Sequence, residues 1–319
     1  MIDETALAEA VRAEFGLRVH GLTPGGRGAL GQIWRAQVEG GPDVAVKLLT
    51  EKPSESLVAN EVAHTQRMAG YGVVVAASMA DRSGRYLTPV AEGWVRVSEW
   101  IDGTAPDPAD PLTPQALGEM LGRMHAHAGP APGQPSGWYT QPPPMAKLVK
   151  LAATAEQGDA RWAGRLNALV PTWQSLSQIR KAPGALVWCH RDLHPGNVLR
   201  TVAGRFAVLD WECLGPADPA QELASVLLHW FADHTGVLGP QIDAFLAAYR
   251  SAGGTGMLTA IDDFAMHLAT RLNFLAHELE TVIDPRAALG DVQRAVAEIE
   301  ETVEFLPTVE VLKQAVPKT

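Results

Sequence analysis

The chain has 319 residues, of which 46% are hydrophobic and 19% charged, values ordinary for a soluble globular protein with room for one large or two modest domains. A net charge of −10 argues against a nucleic-acid partner, which calls for a basic face, and leaves room for a cationic small molecule. The two cysteines, Cys189 and Cys213, form no CxxC pair, excluding a disulfide framework or zinc knuckle, and no apolar run reaches the roughly 20 residues that span a bilayer. A cytoplasmic protein without a membrane partner is expected, with its oligomeric state open.

In chain order, MIDETALAEAVRAEFGL reads as an amphipathic helix over about residues 3–15, not as a targeting segment. Two β-type runs, Gln32–Val38 and Asp43–Leu49, flank the turn Glu39-Gly40-Gly41-Pro42 and predict a hairpin. Before them lies a glycine-dense stretch, residues 25–31, which suits either a flexible turn or a loop that can approach phosphate. Lys47 stands inside the apolar strand VAVKLL, where it either snorkels to solvent or points at an anion. Pro53 to Ser56 begins a helix that ends near Gly70 and carries Glu61, read as a solvated carboxylate or as the ion-pair partner of Lys47. Strands are expected around 73–79 and 86–90, and WVRVSEWIDG forms a further strand running into a connector. The Pro/Asp-rich stretch 104–114 marks a linker, which divides the chain into lobes 1–100 and 101–319 with a hinge about 98–103. The second lobe opens with a helix capped by Thr113 and continues through a Pro/Gly-rich loop, residues 129–144, in which no packed order is expected. Helices follow over 145–180, and four more follow the segment 186–214. The result is an α+β, two-lobed arrangement with an antiparallel-sheet N-lobe and a mainly helical C-lobe.

Residues 186–214, LVWCHRDLHPGNVLRTVAGRFAVLDWECL, read as strand, tight loop, strand, turn, strand, with His190, Asp192, Asn197 and Asp210 near strand ends. A carboxylate, an amide and a second carboxylate in that setting suit a divalent metal and a phosphate. Both cysteines are expected to be buried in strands here. His190, Asp192 and His194 alternate and could instead ligate a hydrolytic metal, but Pro195-Gly196 ends the strand and no second ligand cluster completes the sphere.

HRDLHPGN followed by VLDWE resembles the catalytic and metal-binding motifs of the protein-kinase-like superfamily, and within it the aminoglycoside phosphotransferase family of antibiotic and small-molecule kinases. The resemblance spans roughly residues 20–300, with its specificity concentrated in 188–212. Protein kinases carry lysine near position 194 and Phe-Gly after the metal aspartate; here these are His194 and Trp211-Glu212. The resemblance implies Asp192 as catalytic base, Asn197 and Asp210 as Mg²⁺ ligands, and Lys47 on the nucleotide phosphates held by Glu61. It further implies Gly28 in the phosphate loop and backbone groups of Ser98, Glu99 and Ile101 on the adenine of ATP, with GTP left open. His190 is expected to brace the catalytic loop. Arg191 stands where many members have glycine. The acceptor is a hydroxyl-bearing small molecule, and Trp211, Glu212, Trp230, Asp233, Asp263 and His267 are its candidate contacts; carboxylates and indoles would favour a cationic, aminoglycoside-like acceptor and a resistance role. Kinases of homoserine, choline or sugars share the motifs, and a kinase-fold binding protein without turnover is the alternative from another class.

Overall fold

The computed structural model describes residues 4–28, 31–91, 93–157, 162–182 and 184–318. Two compact units emerge, residues 1–106 with 196–214, and residues 107–195 with 215–319.

In the first unit, α1 (Glu4–Phe15) precedes β1 (Val19–Gly28), β2 (Gly31–Val38) and β3 (Val44–Leu49); then come α2 (Glu55–Gly70), β4 (Val74–Val75), β5 (Ser78–Met79), β6 (Thr88–Val90), β7 (Gly93–Glu99) and β8 (Gly103–Thr104). An antiparallel sheet runs β1-β2-β3-β7-β5, with β6 also on β7. The period of two along a strand sends Val44, Val46 and Leu48 of β3, and Val95 and Val97 of β7, into one core with Leu7 and Val11 of α1. The opposite face of β3 turns Leu49 toward Val58 and Val62 of α2, and the same alternation places Lys47 on that face. Register sets Lys47 directly opposite Arg96 of β7.

The second unit holds α3 (Thr113–His127), α4 (Gly137–Thr140), α5 (Met145–Gln157), α6 (Ala163–Leu176) and the short strand β9 (Val187–Cys189). Two more strands, β10 (Val198–Thr201) and β11 (Phe206–Val208), belong to the first unit, where they form a sheet ordered β4-β11-β10-β8. The chain re-enters the second unit with β12 (Gly215–Ala217), which pairs with β9. It then forms α7 (Pro219–Phe231), α8 (Gly239–Ser251), α9 (Ala265–Ile283), α10 (Leu289–Phe305) and α11 (Val309–Ala315). Among the described residues no helix is long and apolar enough to cross a membrane.

The α+β class agrees with the sequence reading, while several local features differ. Most of the glycine-dense stretch is strand, not loop: β1 pairs with β2 as far as Gly28 opposite Gly31, and the turn residues 29–30 lie outside the described residues. Thr113 is the first residue of α3 rather than its cap, because its hydroxyl donates to the Asp107 carbonyl at 2.8 Å. The 129–144 stretch is ordered. The Ala131 amide donates to Leu186 O at 3.0 Å, Tyr139 is buried, and the Asn273 amide spans the carbonyls of Trp138 and Gln141 at 3.0 and 2.8 Å. Pro and Gly here shape a packed turn whose carbonyls are satisfied by a helix side chain distant in sequence. Cys189 is buried in β9, whereas Cys213 is half-buried in a 3-10 turn. Residues 196–214 pack with the first unit because β10 and β11 find their ladder partners in β8 and β4, a pairing that strand patterns 100 residues apart do not announce.

One packing contact in the second unit is unusually close. Gly118 and Gly122 lie one turn apart on α3, and a Cβ on them would stand 2.3 Å from Phe245 O and 2.5 Å from Tyr249 O of α8. Backbone cannot yield as a flexible side chain can, so Gly122→Val is expected to cost about 3 kcal/mol in chemical denaturation. A loss below about 1 kcal/mol would mean that α3 and α8 can slide apart freely.

Candidate functional site

In the first unit, the β10–β11 hairpin closes with Val198 opposite Val208, and the Leu209 amide donates to Asn197 O at 2.9 Å. Asn197, in a 3-10 turn, and Asp210 therefore sit at the same end of one hairpin. Asp210 adopts φ 52°, a left-handed conformation that Asp tolerates better than most residues and that turns the chain sharply into Trp211–Cys213. An amide oxygen and a carboxylate are hard donors of the kind magnesium takes, and the Asp210 side chain is 38% exposed, leaving it open to a ligand. The pair fits a divalent cation.

Lys47 does not snorkel to solvent. Its ammonium lies 3.3 Å from the Asp210 carboxylate and 2.7 Å from that of Glu212. Burial works to lower its pKa, but the two carboxylates overcome that and raise it, so the lysine stays charged. Its expected partner is corrected here. Glu61 is taken by Arg96, which grips both carboxylate oxygens at 2.6 and 2.9 Å. A planar guanidinium satisfies a carboxylate bidentately in a way that a lysine cannot. Ser98 lies within β7 between β3 and β5, and the Glu99 amide donates to Ala77 O at 2.9 Å, so that donor is engaged by the chain itself; Ile101 lies just past the strand.

In the second unit the segment after β9 holds Asp192. His190 is fully buried, and its Nδ1 accepts the Asp192 amide at 3.3 Å, which is bracing, as expected. The His194 amide donates to Asp192 O at 3.1 Å, and the Trp230 indole donates to Leu193 O at 3.1 Å. Arg191 adopts φ 67°, the left-handed region where a glycine is at ease, and its guanidinium lies 3.9 Å over the Tyr139 ring. Its amide donates to the fully buried Glu222, which also accepts from His125 Nε2 at 2.7 Å. Burial works to raise the Glu222 pKa, but the hydrogen bond and charge of His125 hold it below the usual range. Tyr249 completes the chain of bonds, its hydroxyl 2.7 Å from His125 Nδ1 and accepting the Gly256 amide at 2.7 Å.

The acceptor candidates divide by how the fold employs them. Trp211 is buried, donating to Val208 O at 3.2 Å and packing against His64. Glu212 serves Lys47 and Arg96, and Trp230 serves the Asp192 loop. Asp233 caps its own turn, accepting from the amides of Thr235 and Gly236 at 2.7 and 3.1 Å. Asp263 is fully buried, accepting from the Thr259 and Ala260 amides at 2.7 and 2.9 Å and pairing with Lys181. His267 belongs to a group on the Asp192 side that sequence reading missed. The His194 imidazole is 3.9 Å from the Asp192 carboxylate; His194 and His229 rings are 5.9 Å apart, and His229 and His267 are 4.7 Å apart. Ser225 lies 3.2 Å from His267 Nδ1, and the Arg271 charge bears on all three histidines. Arg96, inside the apolar run VRVSE, carried the same signal as Lys47 in VAVKLL. The histidines, spread over a loop and two helices, carried none.

Burial, with the Arg271 charge, pushes His267 down to about 3, and burial with His267 and Arg271 pushes His229 well down. The carboxylates whose charge bears on Arg271 are those of Glu301, Glu298 and Asp192. Unfolded imidazoles protonate near pH 6.5 while these two stay neutral, so below that value the unfolded chain binds protons that the folded chain refuses. Stability is therefore complete above pH about 7 and falls as pH drops, by up to about 1.4 kcal/mol per unit per histidine. His267→Gln is expected to shrink the stability difference between pH 7 and pH 5 by about 2 kcal/mol in urea titrations; an unchanged difference would contradict the neutral state.

Comparison with known proteins bears on the family and the fold. Residues 21–260 match the family described as the phosphotransferase enzyme family. A Deinococcus radiodurans protein described as uncharacterized is 30% identical over 214 residues, covering 60% of this chain and 57% of its own length, so the chain spans little more than half of that relative. Among solved structures, a spectinomycin phosphotransferase in complex with ADP and spectinomycin aligns over 98% of both chains at 14% identity and TM-score 0.69. An amicoumacin kinase in complex with AMP-PNP and Ca²⁺ covers 95% of this chain and 93% of its own at 19% identity and TM-score 0.65. The choline kinase LicA of Streptococcus pneumoniae covers 93% and 99% at 18% identity and TM-score 0.57. At such identities the likeness is one of fold, an antiparallel-sheet region followed by a helical one.

Proposed function

Because the chain belongs to the phosphotransferase enzyme family, we propose that it transfers the γ-phosphoryl group of a nucleoside triphosphate, ATP foremost, to a hydroxyl of a small molecule. The observation that carries this reading is the charge arrangement at one hairpin end. Asn197 and Asp210 offer oxygen ligands there, and Lys47 holds a protonated amine 3.3 Å from the Asp210 carboxylate. Phosphoryl transfer asks little more of a protein than such positioning and charge. Lys47 contacts the nucleotide phosphates, and Asn197 with Asp210 holds the magnesium, which when bound offsets charge on them. Asp192 orients the acceptor hydroxyl and takes its proton as the oxygen attacks phosphorus and the bond to the leaving nucleoside diphosphate breaks. The neighbours whose names state an acceptor or activity, spectinomycin, amicoumacin and choline, support a small hydroxylated acceptor.

An antibiotic is the acceptor class this reading favours, since two of those neighbours act on antibiotics. Of the carboxylates that would favour a cationic acceptor, Asp233 commits Oδ1 to the Thr235 and Gly236 amides, while buried Asp263 accepts from amides through Oδ2 and pairs with Lys181 through Oδ1. ADP release with Mg²⁺ and ATP or GTP, measured against aminoglycosides, spectinomycin, macrolides, choline and homoserine, tests the proposal. Acceptor-dependent ADP formation is the expected result. Hydrolysis or binding without transfer to any hydroxyl would set it aside.

A further inference from the structure

Five ionisable side chains of the first unit form one chain of contacts. Lys47 and Arg96 are cross-strand neighbours on β3 and β7, so two cations lie side by side on the same sheet face. Three carboxylates answer them: Asp210 and Glu212 from the segment after β11, and Glu61 from α2. Glu61 gives both oxygens to Arg96, while Glu212 lies 2.7 Å from Lys47 and 3.5 Å from Arg96. The side chains of Lys47, Arg96, Glu61 and Glu212 are only 12–15% exposed, so none of these charges can be left to water.

From this arrangement we infer that Glu212, two residues past the metal-ligand aspartate, is the carboxylate that positions Lys47, and that Glu61 acts at one remove, by keeping Arg96 from drawing Glu212 away. The inference rests on the phosphotransferase reading for what Lys47 is positioned toward, but the division of the charges stands on the contacts alone. A guanidinium deprived of Glu61 would still be buried and charged, and its nearest remaining carboxylate is Glu212. Glu212 would then turn from lysine to arginine. Lys47 would be left to Asp210, tying up the carboxylate that the metal needs.

The distinguishing prediction is a rescue. In titration calorimetry with Mg²⁺ and ADP, Glu61→Gln is expected to weaken binding about 10-fold, and adding Arg96→Met to it should restore affinity to within about 3-fold of wild type. Glu212→Gln should weaken binding about 10-fold whichever residues stand at 61 and 96. If Glu61 instead aimed Lys47 directly, Arg96→Met would restore nothing, and a double variant as weak as Glu61→Gln overturns the inference. Wild-type affinity in Glu212→Gln would overturn it equally. Thermal unfolding without nucleotide gives a second readout. Glu61→Gln and Arg96→Met should each lower Tm by about 5 °C or more, and the double variant by clearly less than their sum. Additive losses would refute the pairing. Failure of wild type to bind ADP would count against the nucleotide reading alone, because the unfolding cycle still decides which charges are partners.

Discussion

With Asp192→Ala, acceptor-dependent ADP formation is expected to fall about 10³-fold or more, while Mg²⁺-nucleotide binding stays within about 3-fold of wild type. The split follows from where the residue sits. Asp192 belongs to the segment of the second unit held by His190, Trp230 and Glu222, whereas in the first unit Lys47 pairs with Asp210, which shares the end of the β10–β11 hairpin with Asn197. With Asp192 as the proposed base, its loss removes a transition-state interaction and spares ground-state nucleotide binding, so kcat falls and nucleotide affinity does not. A variant that kept more than a tenth of wild-type turnover would take the role of base away from Asp192.

The second large effect is expected at Glu222, which is fully buried. Glu222→Leu leaves the His125 Nε2–H and the Arg191 amide without their common acceptor inside the protein. Orphaning buried donors of this kind costs about 3–5 kcal/mol. Turnover should drop as well, because the Glu222 bond is what holds the peptide before a left-handed Arg191, one residue from Asp192, the proposed base. Arg191→Gly separates the two effects. Glycine occupies φ 67° without strain, so in the Arg191→Gly background Glu222→Gln should reduce kcat by a smaller factor than in wild type. Equal factors in both backgrounds would show that Glu222 stabilises the unit without steering the loop. The pH dependence has a definite sign. Since the folded pKa of Glu222 is depressed, its contribution is present at neutral pH and is lost as pH falls through and below the ordinary carboxylate range near 4.5.

The sequence by itself determined the chemical inventory and the class of fold. HRDLHPGN and VLDWE put an acid, an amide and a second acid at fixed short spacings, and local turn chemistry suffices to bring Asn197 and Asp210 to one hairpin end. Alternating apolar residues around Lys47 and the long helical patterns after residue 107 sufficed for an α+β chain. Some roles were within reach of a closer reading. Asp233 followed by Thr235 and Gly236 is the pattern of a side chain capping its own turn, which commits Oδ1 to that turn.

Partner choice was decided only by the tertiary structure. Whether Glu61 meets Lys47 or Arg96 depends on the register of β3 against β7, which pairs two residues 49 positions apart in sequence. A guanidinium and an ammonium compete there for carboxylates that a linear motif cannot apportion. The same holds for His125, Glu222 and Tyr249, drawn from three helices, and for His194, His229 and His267, which become one group only when α7 and α9 pack together. Motifs carry information along the chain. Long-range ion pairs and buried hydrogen bonds are set by packing between segments distant in sequence, where burial makes every unmatched charge costly and so fixes a single pairing.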